Sequence, residues 1–169
     1  MPERLNCQLT EIITHCCDVK TFRFALERDI AFEPGQYLTL MLPVEGKAVT
    51  KVFSISNSPI EKGYVQFTKK ISSSGFSKAL LELKISQRFD LNLPMGKFTF
   101  TGEYPKVAFL SGGIGITPIR SIFKYATDTE LASNLILLYS SRTPEYLIFR
   151  NDFDLMQKAN QNKHLNVSF

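Results

Sequence analysis

Residues 112–118 combine a glycine-rich turn with a proline, a pattern suited to binding an anion. The apolar residues 107–110 come first and predict a buried strand, and a helical pattern begins at Pro118. Gly113 and Gly115 carry no Cβ, so the backbone can approach a phosphate closely. Proline is favoured in the first helical turn, where free N–H groups and the helix dipole attract negative charge. The sequence predicts a phosphate cradle here, and a purely structural turn is the alternative.

A second motif lies upstream, where Lys51, Val52, Phe53 and Ser54 follow one another on a predicted strand. Side chains alternate along a strand, so Lys51 and Phe53 are expected on the same face. This arrangement places a cation beside a flat apolar ring. Buried phenylalanines are common, and an ordinary core position for Phe53 is therefore the alternative interpretation.

Two kinds of scaffold are predicted to position these motifs. Residues 1–102 contain short strands with partial alternation, which favours an antiparallel barrel. The predicted strands are 5–14, 19–26, 36–42, 51–57, 64–70 and 88–93, and a short helix covers 77–84. Residues 103–169 alternate between strands and helices, which predicts a parallel sheet with helical crossovers. Its strands are expected at 106–110, 135–139 and 165–169, and its helices at 118–126 and 149–159.

Composition excludes several classes of protein. The hydrophobic content of 44% and the net charge of +4 indicate a folded, mildly basic chain. The basic residues are scattered, which argues against a nucleic-acid partner and suits a polyanionic cofactor or an acidic protein. No apolar run approaches the ~18–20 residues that cross a bilayer, and no signal peptide is recognisable.

The three cysteines and two histidines do not form a recognisable metal or catalytic site. Cys7, Cys16 and Cys17 lack the spacing of a zinc site, a disulfide framework or an iron–sulfur cluster. We therefore expect free thiols and a cytoplasmic location. His15 and His164 have no triad-like partners and are expected to be hydrogen-bonded or surface residues. Two acidic residues of the last predicted helix, Asp152 and Asp154, are expected on its solvated face.

Five motifs in order resemble those of the ferredoxin–NADP reductase superfamily, and more narrowly bacterial oxygenase-reductase and flavin-reductase flavoproteins. They occupy residues 34–37, 51–54, 75–77, 94–98 and 113–118. The resemblance implies a Greek-key flavin-binding barrel over residues 1–102. It further implies that residues 103–169 form the first part of an NAD(P)-binding α/β domain.

In the barrel, residues 51–54 resemble the family's R-x-[YF]-S-[IL] segment. The resemblance implies that Lys51 binds flavin phosphate or ribityl oxygens, that Phe53 lies against the isoalloxazine and that Ser54 hydrogen-bonds near N5. Val52 belongs to the same cofactor-binding segment. Lysine keeps the charge of the family's arginine but loses the planar fork that grips two oxygens.

The segment Gly75, Phe76 and Ser77 resembles the family's G-x-x-S at the start of a short helix. Ser77 is expected to cap this helix. Capping is compatible with phosphate binding, because the same free N–H groups serve both. Lys69 precedes the segment and is expected near a phosphate or a docking partner, with a solvated lysine as the alternative.

In the second domain, Gly113, Gly115, Thr117 and Pro118 belong to a segment that resembles the family's G-[TI]-G-[IL]-[TA]-P. That segment receives the pyrophosphate of the nicotinamide nucleotide, with Thr117 close to the nicotinamide. The residues expected at the adenosine ribose or its 2′-phosphate are Ser141 and Arg142. Both NADH and NADPH stay open as coenzymes.

The resemblance implies hydride transfer from NADH or NADPH to FAD, with FMN less favoured and with Ser54 and Thr117 as the catalytic candidates. The flavin carries the reaction and no metal is required. The electrons would pass to a ferredoxin, an oxygenase component or free flavin. One alternative is a non-catalytic flavin- or nucleotide-binding subunit. Another is a basic barrel that binds single-stranded nucleic acid, against which the ordered motifs argue.

The parallel sheet is predicted to reach only its third strand. Parallel sheets are normally covered on both faces, so we expect a longer protein or a partner that completes the sheet. A half-domain that leans on the barrel is the alternative. On the first interpretation, the 169-residue chain binds flavin weakly and reduces it poorly.

Overall fold

A computed structural model describes residues 2–16, 18–159 and 165–169, so Cys17 and His164 lie outside the described residues. The first sheet contains β1 (Glu3–Cys16), β2 (Val19–Ala25), β3 (Tyr37–Val44), β4 (Lys47–Ser54), β5 (Tyr64–Lys70) and β6 (Arg88–Met95). The short helix α1 (Gly75–Leu81) lies between β5 and β6. The second part contains β7 (Lys106–Gly112), α2 (Ile116–Asp128), β8 (Asn134–Ser140), α3 (Arg150–Ala159) and β9 (Leu165–Ser168).

The first sheet is a curled antiparallel half-barrel with the strand order β4-β3-β6-β1-β2-β5. Its two edges meet at a bridge between Ile55 and Phe67, just after β4 and within β5. The interior is rich in phenylalanine, and the rings of Phe22, Phe24 and Phe67 are fully buried. This architecture confirms the predicted antiparallel barrel, since burial of alternate residues is what curls such a sheet around a core.

The second sheet is parallel, with the order β7-β8-β9, as predicted. Along β8 the side chains of Leu135, Leu137 and Tyr139 are buried, whereas Ile136 and Leu138 are exposed. The helices α2 and α3 share one core with the buried side chains. The apolar run in β8 therefore places one row of side chains against the helices.

The hairpin between β3 and β4 differs from its prediction. The pattern placed a turn at 43–46 and a strand at 51–57, but β3 continues through Pro43 and pairs with β4 as far as Val44 and Lys47. Only Glu45 and Gly46 form the turn, with φ angles of 49° and 77°. Positive φ at both central residues matches the right-handed twist of a two-residue hairpin.

Gly35 explains why two of the motifs occur together. A Cβ at this position would lie 2.1 Å from the carbonyl oxygen of Phe98, and φ is +101°. The neighbouring Gln36 donates from Nε2 to the carbonyl of Gly96 at 3.2 Å. The turn at 34–37 and the segment 94–98 therefore form one close contact that tolerates only glycine at its centre.

No helix among residues 2–16, 18–159 and 165–169 is both long enough and apolar enough to cross a bilayer.

Candidate functional site

A groove of about 380 Å³ lies between β4, β5 and the start of α2, and we call it the β4–α2 groove. It is lined by Val52, Phe53, Ser54, Thr68, Lys69, Lys70, Ile114, Gly115, Thr117 and Pro118. The groove thus joins the two motifs that the sequence analysis singled out, one from each sheet. Thr68 and Lys70 were missed, although both lie on the strand that carries Lys69.

The half-buried ring of Phe53 forms part of this groove and is held from behind. It stacks on Phe67 with the ring centroids 4.2 Å apart and an interplanar angle of 14°. Phe76 of α1 approaches the same ring at 5.9 Å. One face of Phe53 therefore packs against the core, while the residue also lines the groove.

Hydroxyl-bearing residues line the groove on both of its sides. Ser54 ends β4, pairs through its backbone with Tyr37 and is partly exposed. Thr117 lies in the first turn of α2, is 6% exposed, and donates from Oγ1 to the carbonyl of Ile114 at 3.2 Å. The groove is thus lined by hydroxyl-bearing residues from both sides, Ser54 and Thr68 from the barrel and Thr117 from α2.

Two lysines give the groove a positive potential. Lys69 lines it, and the exposed Lys51 lies on β4 beside it. Burial lowers the pKa of Lys69, and the nearby charge of Lys51 lowers it further. Like charges this close repel each other, so an anion between them would be stabilised. This electrostatic arrangement fits the phosphate of a flavin nucleotide.

A second space of about 610 Å³ adjoins the groove at the ends of β7 and β8, and we call it the β7–β8 cavity. Its lining is Val19, Lys70, Gly112, Gly113, Ile114, Ser140, Ser141, Arg142, Tyr146 and Ile148. Lys70 and Ile114 line both spaces, so the two form neighbouring compartments. Of the residues predicted to bind the coenzyme, Gly113, Ser141 and Arg142 are brought together in this cavity. The others, Gly115, Thr117 and Pro118, line the β4–α2 groove instead.

The backbone at the mouth of the cavity fits a pyrophosphate. A Cβ placed on Gly112 or Gly113 would have no protein atom within 4 Å, so both face open space. The Ser111 hydroxyl nearby is buried without a hydrogen-bond partner among the described residues.

The segment at α1 differs from its prediction. Ser74, rather than Ser77, caps the helix, because its hydroxyl accepts from the Ser77 N–H at 3.3 Å. The buried Ser77 hydroxyl instead accepts from the N–H of Ser72 at 3.1 Å. Gly75 fits closely against Val44, whose Cγ1 would lie 2.7 Å from a Cβ there. The predicted residues Gly75, Phe76 and Ser77 do not line the groove. Phe76 is connected to it indirectly, because its ring contacts that of Phe53.

The sequence analysis missed a buried arginine, Arg120, on α2. Its Nη1 donates to the carbonyl of Ser56 at 2.7 Å and to Glu61 Oε2 at 3.1 Å. Its Nε donates to Asp152 Oδ2 at 2.7 Å. The prediction that Asp152 is a solvated residue was therefore wrong. Asp152 on α3 forms an ion pair with Arg120 on α2. The available signal was a charged residue inside the apolar stripe of α2.

A chain of hydrogen bonds runs beside this arginine. His15 Nε2 lies 2.7 Å from the hydroxyl of Thr21, which lies 2.6 Å from that of Thr68. The Thr68 hydroxyl is also 3.1 Å from that of Ser56. Burial lowers the pKa of His15, and Asp152 opposes that shift. His15 is thus a hydrogen-bonded residue, as predicted.

Two family models match the chain. The model described as the oxidoreductase FAD-binding domain matches residues 6–100, and the model described as the oxidoreductase NAD-binding domain matches residues 109–168. These matches agree with the two adjoining spaces and identify FAD and a nicotinamide dinucleotide as the cofactors.

The chain also has similar relatives and structural neighbours. It is 32% identical over 157 residues to the glycine betaine monooxygenase reductase subunit of Chromohalobacter salexigens. The aligned region covers 89% of this chain and 42% of that protein. The chain thus spans less than half the length of that relative. The cytochrome b5 reductase domain of Ulva prolifera nitrate reductase superposes with a TM-score of 0.83 at 19% identity, covering 98% and 72% of the two chains. For ferredoxin-NADP+ reductase from Plasmodium falciparum the TM-score is 0.82 at 18% identity, with coverage of 98% and 69%.

Gly113 provides a test of the cradle geometry. Its φ of +53° is left-handed, whereas Gly112 has φ −124°, and both face open space. We expect Gly113→Ala to lower the free energy of unfolding by about 1 kcal/mol, because a Cβ is strained at positive φ. The matched Gly112→Ala should have little effect. Urea unfolding of both variants measures the difference, and equal losses would contradict the assigned backbone geometry.

Glu61 provides a pH test of the ion pair. Burial alone would raise its pKa, but Arg120, the Ser58 N–H and the Tyr64 hydroxyl hold it below 4.5. A depressed pKa in the folded state means that the stabilisation is present above pH 4.5 and is lost as the pH falls through the folded value. We expect Glu61→Gln to cost about 1.5–3 kcal/mol at pH 7, the range for hydrogen bonds to charged groups.

Chemical denaturation of Glu61→Gln and the unmodified protein between pH 7 and 3 measures this pH dependence, with the two stabilities expected to converge as Glu61 becomes protonated. The control is Asp154→Asn, which removes a partly exposed pair with Arg150 at 4.0 Å. Exposed pairs contribute little, so this variant should show almost no loss. A gap between Glu61→Gln and the unmodified protein that does not narrow at all as the pH falls below 4.5 argues against the pairing.

Proposed function

Because the chain belongs to the ferredoxin–NADP reductase superfamily of FAD- and NAD(P)-binding oxidoreductases, we propose that it transfers hydride from NADH or NADPH to FAD and passes the electrons onward. One observation carries this proposal. The β4–α2 groove brings the 51–54 motif against the 113–118 motif, and it adjoins the β7–β8 cavity through Lys70 and Ile114. Two cofactors in these spaces would be adjacent at Lys70 and Ile114, and the groove itself carries Ser54 and Thr117.

On the barrel side, the residues proposed to hold FAD act in distinct ways. Lys51 and Lys69 attract the phosphates, and Val52 and Phe53 supply an apolar wall for the ring system. The Ser54 hydroxyl is placed to hydrogen-bond at the edge of the ring. When bound, FAD supplies the hydride acceptor, whereas the protein supplies position and electrostatics.

On the nucleotide side, the free N–H groups of the turn containing Gly113 and Gly115 are proposed to bind the pyrophosphate. The start of α2 adds the positive end of its dipole. Thr117 and Pro118 form the wall that keeps water from the reacting atoms. Ser141 and Arg142 are proposed to bind the adenosine ribose or a 2′-phosphate.

The proposed electron acceptor is an oxygenase component. The similarity to a protein named as a monooxygenase reductase subunit supports this choice over a ferredoxin or free flavin. We also propose that the protein acts in the cytoplasm, which the free thiols of Cys7 and Cys16 support.

Anaerobic spectroscopy tests the proposed activity. We expect the purified protein to take up added FAD and the bound flavin to lose its visible absorbance when NADH or NADPH is added. Free FAD without protein is the control. Slow reduction and weak binding are the behaviour expected of the 169-residue chain. Bound FAD that stays fully oxidised with both coenzymes would favour a non-catalytic flavin-binding subunit, and absence of binding even at high FAD concentration would refute the proposal.

Lys51 gives a quantitative test of the flavin site. We expect Lys51→Met to weaken FAD binding about tenfold, the effect of losing a partly exposed hydrogen bond from a charged group. Lys51→Arg should strengthen it severalfold, because the planar guanidinium can grip two phosphate oxygens. Lys47→Met, at the other end of the same strand, is the matched control and should leave affinity unchanged. Fluorescence titration with FAD measures all three, and equal affinities would remove Lys51 from the site.

A further inference from the structure

We propose that Arg120 and Ser121 are positioning residues that set the distance between the two walls of the β4–α2 groove, an inference that rests on the proposed function of that groove. Neither residue lines the groove itself. Both join α2, which carries Thr117, to the chain that leaves β4 directly after Ser54.

The contacts are made to backbone atoms. Arg120 donates from Nη1 to the Ser56 carbonyl at 2.7 Å, and Ser121 donates from Oγ to the Asn57 carbonyl at 2.7 Å. On α2 the donors lie about one helical turn after Thr117. On the barrel side the acceptors follow Ser54 within the same short segment. The two walls of the groove are therefore connected by two hydrogen bonds to backbone carbonyls.

Burial makes the position of α2 relative to the barrel difficult to change. Arg120 is 8% exposed, and Ser121, Ser56 and Asn57 are fully buried. If α2 slid or tilted relative to the barrel, the guanidinium and the hydroxyl would lose their acceptors without gaining water. An unsatisfied buried donor is costly, so the helix has one favourable position.

The guanidinium is also held from other directions. Its Nε donates to Asp152 of α3 at 2.7 Å, and Glu61 accepts from Nη1 at 3.1 Å. Glu61 is fixed in turn by the Ser58 N–H at 2.7 Å and the Tyr64 hydroxyl at 2.9 Å. Arg120 thus connects the barrel, α2 and α3, and its side chain cannot rotate away without breaking several contacts.

This arrangement predicts an effect on rate rather than on binding. Hydride transfer requires close approach of the two reacting atoms, and a misplacement of about 1 Å can cost about 100-fold in rate. The lysines and glycines proposed to bind the cofactors keep their own contacts when Arg120 or Ser121 is altered. We therefore expect a lower kcat with little change in KM for the coenzyme or in the affinity for FAD.

Three variants test the inference against the unmodified protein. Arg120→Met should lower the rate constant of flavin reduction about 100-fold, and Arg120→Lys should recover part of it by restoring one charged donor. Ser121→Ala removes one hydroxyl, is expected to fold, and should lower the rate about tenfold. Lys124→Met removes a cation one turn further along the same helix, where it pairs with Asp128 and not with the barrel; it is the matched control and should retain the full rate.

Two further measurements separate positioning from simple destabilisation. Hydrogen–deuterium exchange without any ligand should be faster at amides 113–118 in Ser121→Ala, and unchanged in Lys124→Met. Phe153→Leu loosens the core beneath α3 without touching the Ser56 or Asn57 carbonyl. It should lower thermal stability but leave the absorbance of the flavin–nicotinamide charge-transfer complex intact, whereas Arg120→Lys and Ser121→Ala should diminish that absorbance.

The possible results distinguish a failure of the positioning role from a failure of the proposed function. If the unmodified protein reduces bound FAD but Ser121→Ala and Arg120→Lys match it in rate, exchange and charge-transfer absorbance, the positioning role is wrong and the proposed function stands. If the affinity for FAD falls in step with the rate, the two residues serve flavin binding and the inference is also wrong. If neither coenzyme reduces FAD bound to the unmodified protein, the proposed function fails and this inference fails with it.

Discussion

A buried guanidinium must have its donors satisfied, and in this protein that requirement links the two parts of the fold. Arg120 satisfies it with a carbonyl from the barrel, a carboxylate from the loop beyond β4 and a carboxylate from α3. Desolvated charges stabilise a fold only when their partners are well placed, so the cluster admits little variation in geometry. Arg120 and the Ser121 hydroxyl beside it thus tie the barrel to the α/β layer, alongside apolar contacts such as that of Val19 with the core of the second part.

Neither sheet forms the candidate site alone. The curled sheet contributes an aromatic ring, a serine hydroxyl and lysines, whereas the parallel sheet contributes free backbone N–H groups at a glycine turn. Lys70 and Ile114, one from each sheet, border both the groove and the cavity. A small molecule in one space therefore lies next to a small molecule in the other, which is the arrangement that transfer between two cofactors requires.

Sequence patterns predicted the parts of this structure that depend on neighbouring residues. The strand at Tyr64–Lys70 has the predicted bounds, and the glycine turn opens α2, because alternation and glycine content act locally. The errors have two causes, contacts between distant positions and a choice among similar neighbouring residues. Asp152 was assigned to solvent because its partner lies 32 positions away. Ser77 was assigned as a cap, but three adjacent serines precede it and local propensity could not distinguish among them.

The stack of Phe53 on Phe67 has a consequence for recognition. Phe67 is fully buried, so the orientation of the Phe53 ring is determined by the barrel interior before any ligand arrives. A ligand that lies against this ring does not have to immobilise it, and the rotamer entropy that most binding sites lose on association has already been lost during folding. Affinity at the groove is thereby coupled to the integrity of the barrel core, so local opening around Phe67 would release a bound ring system.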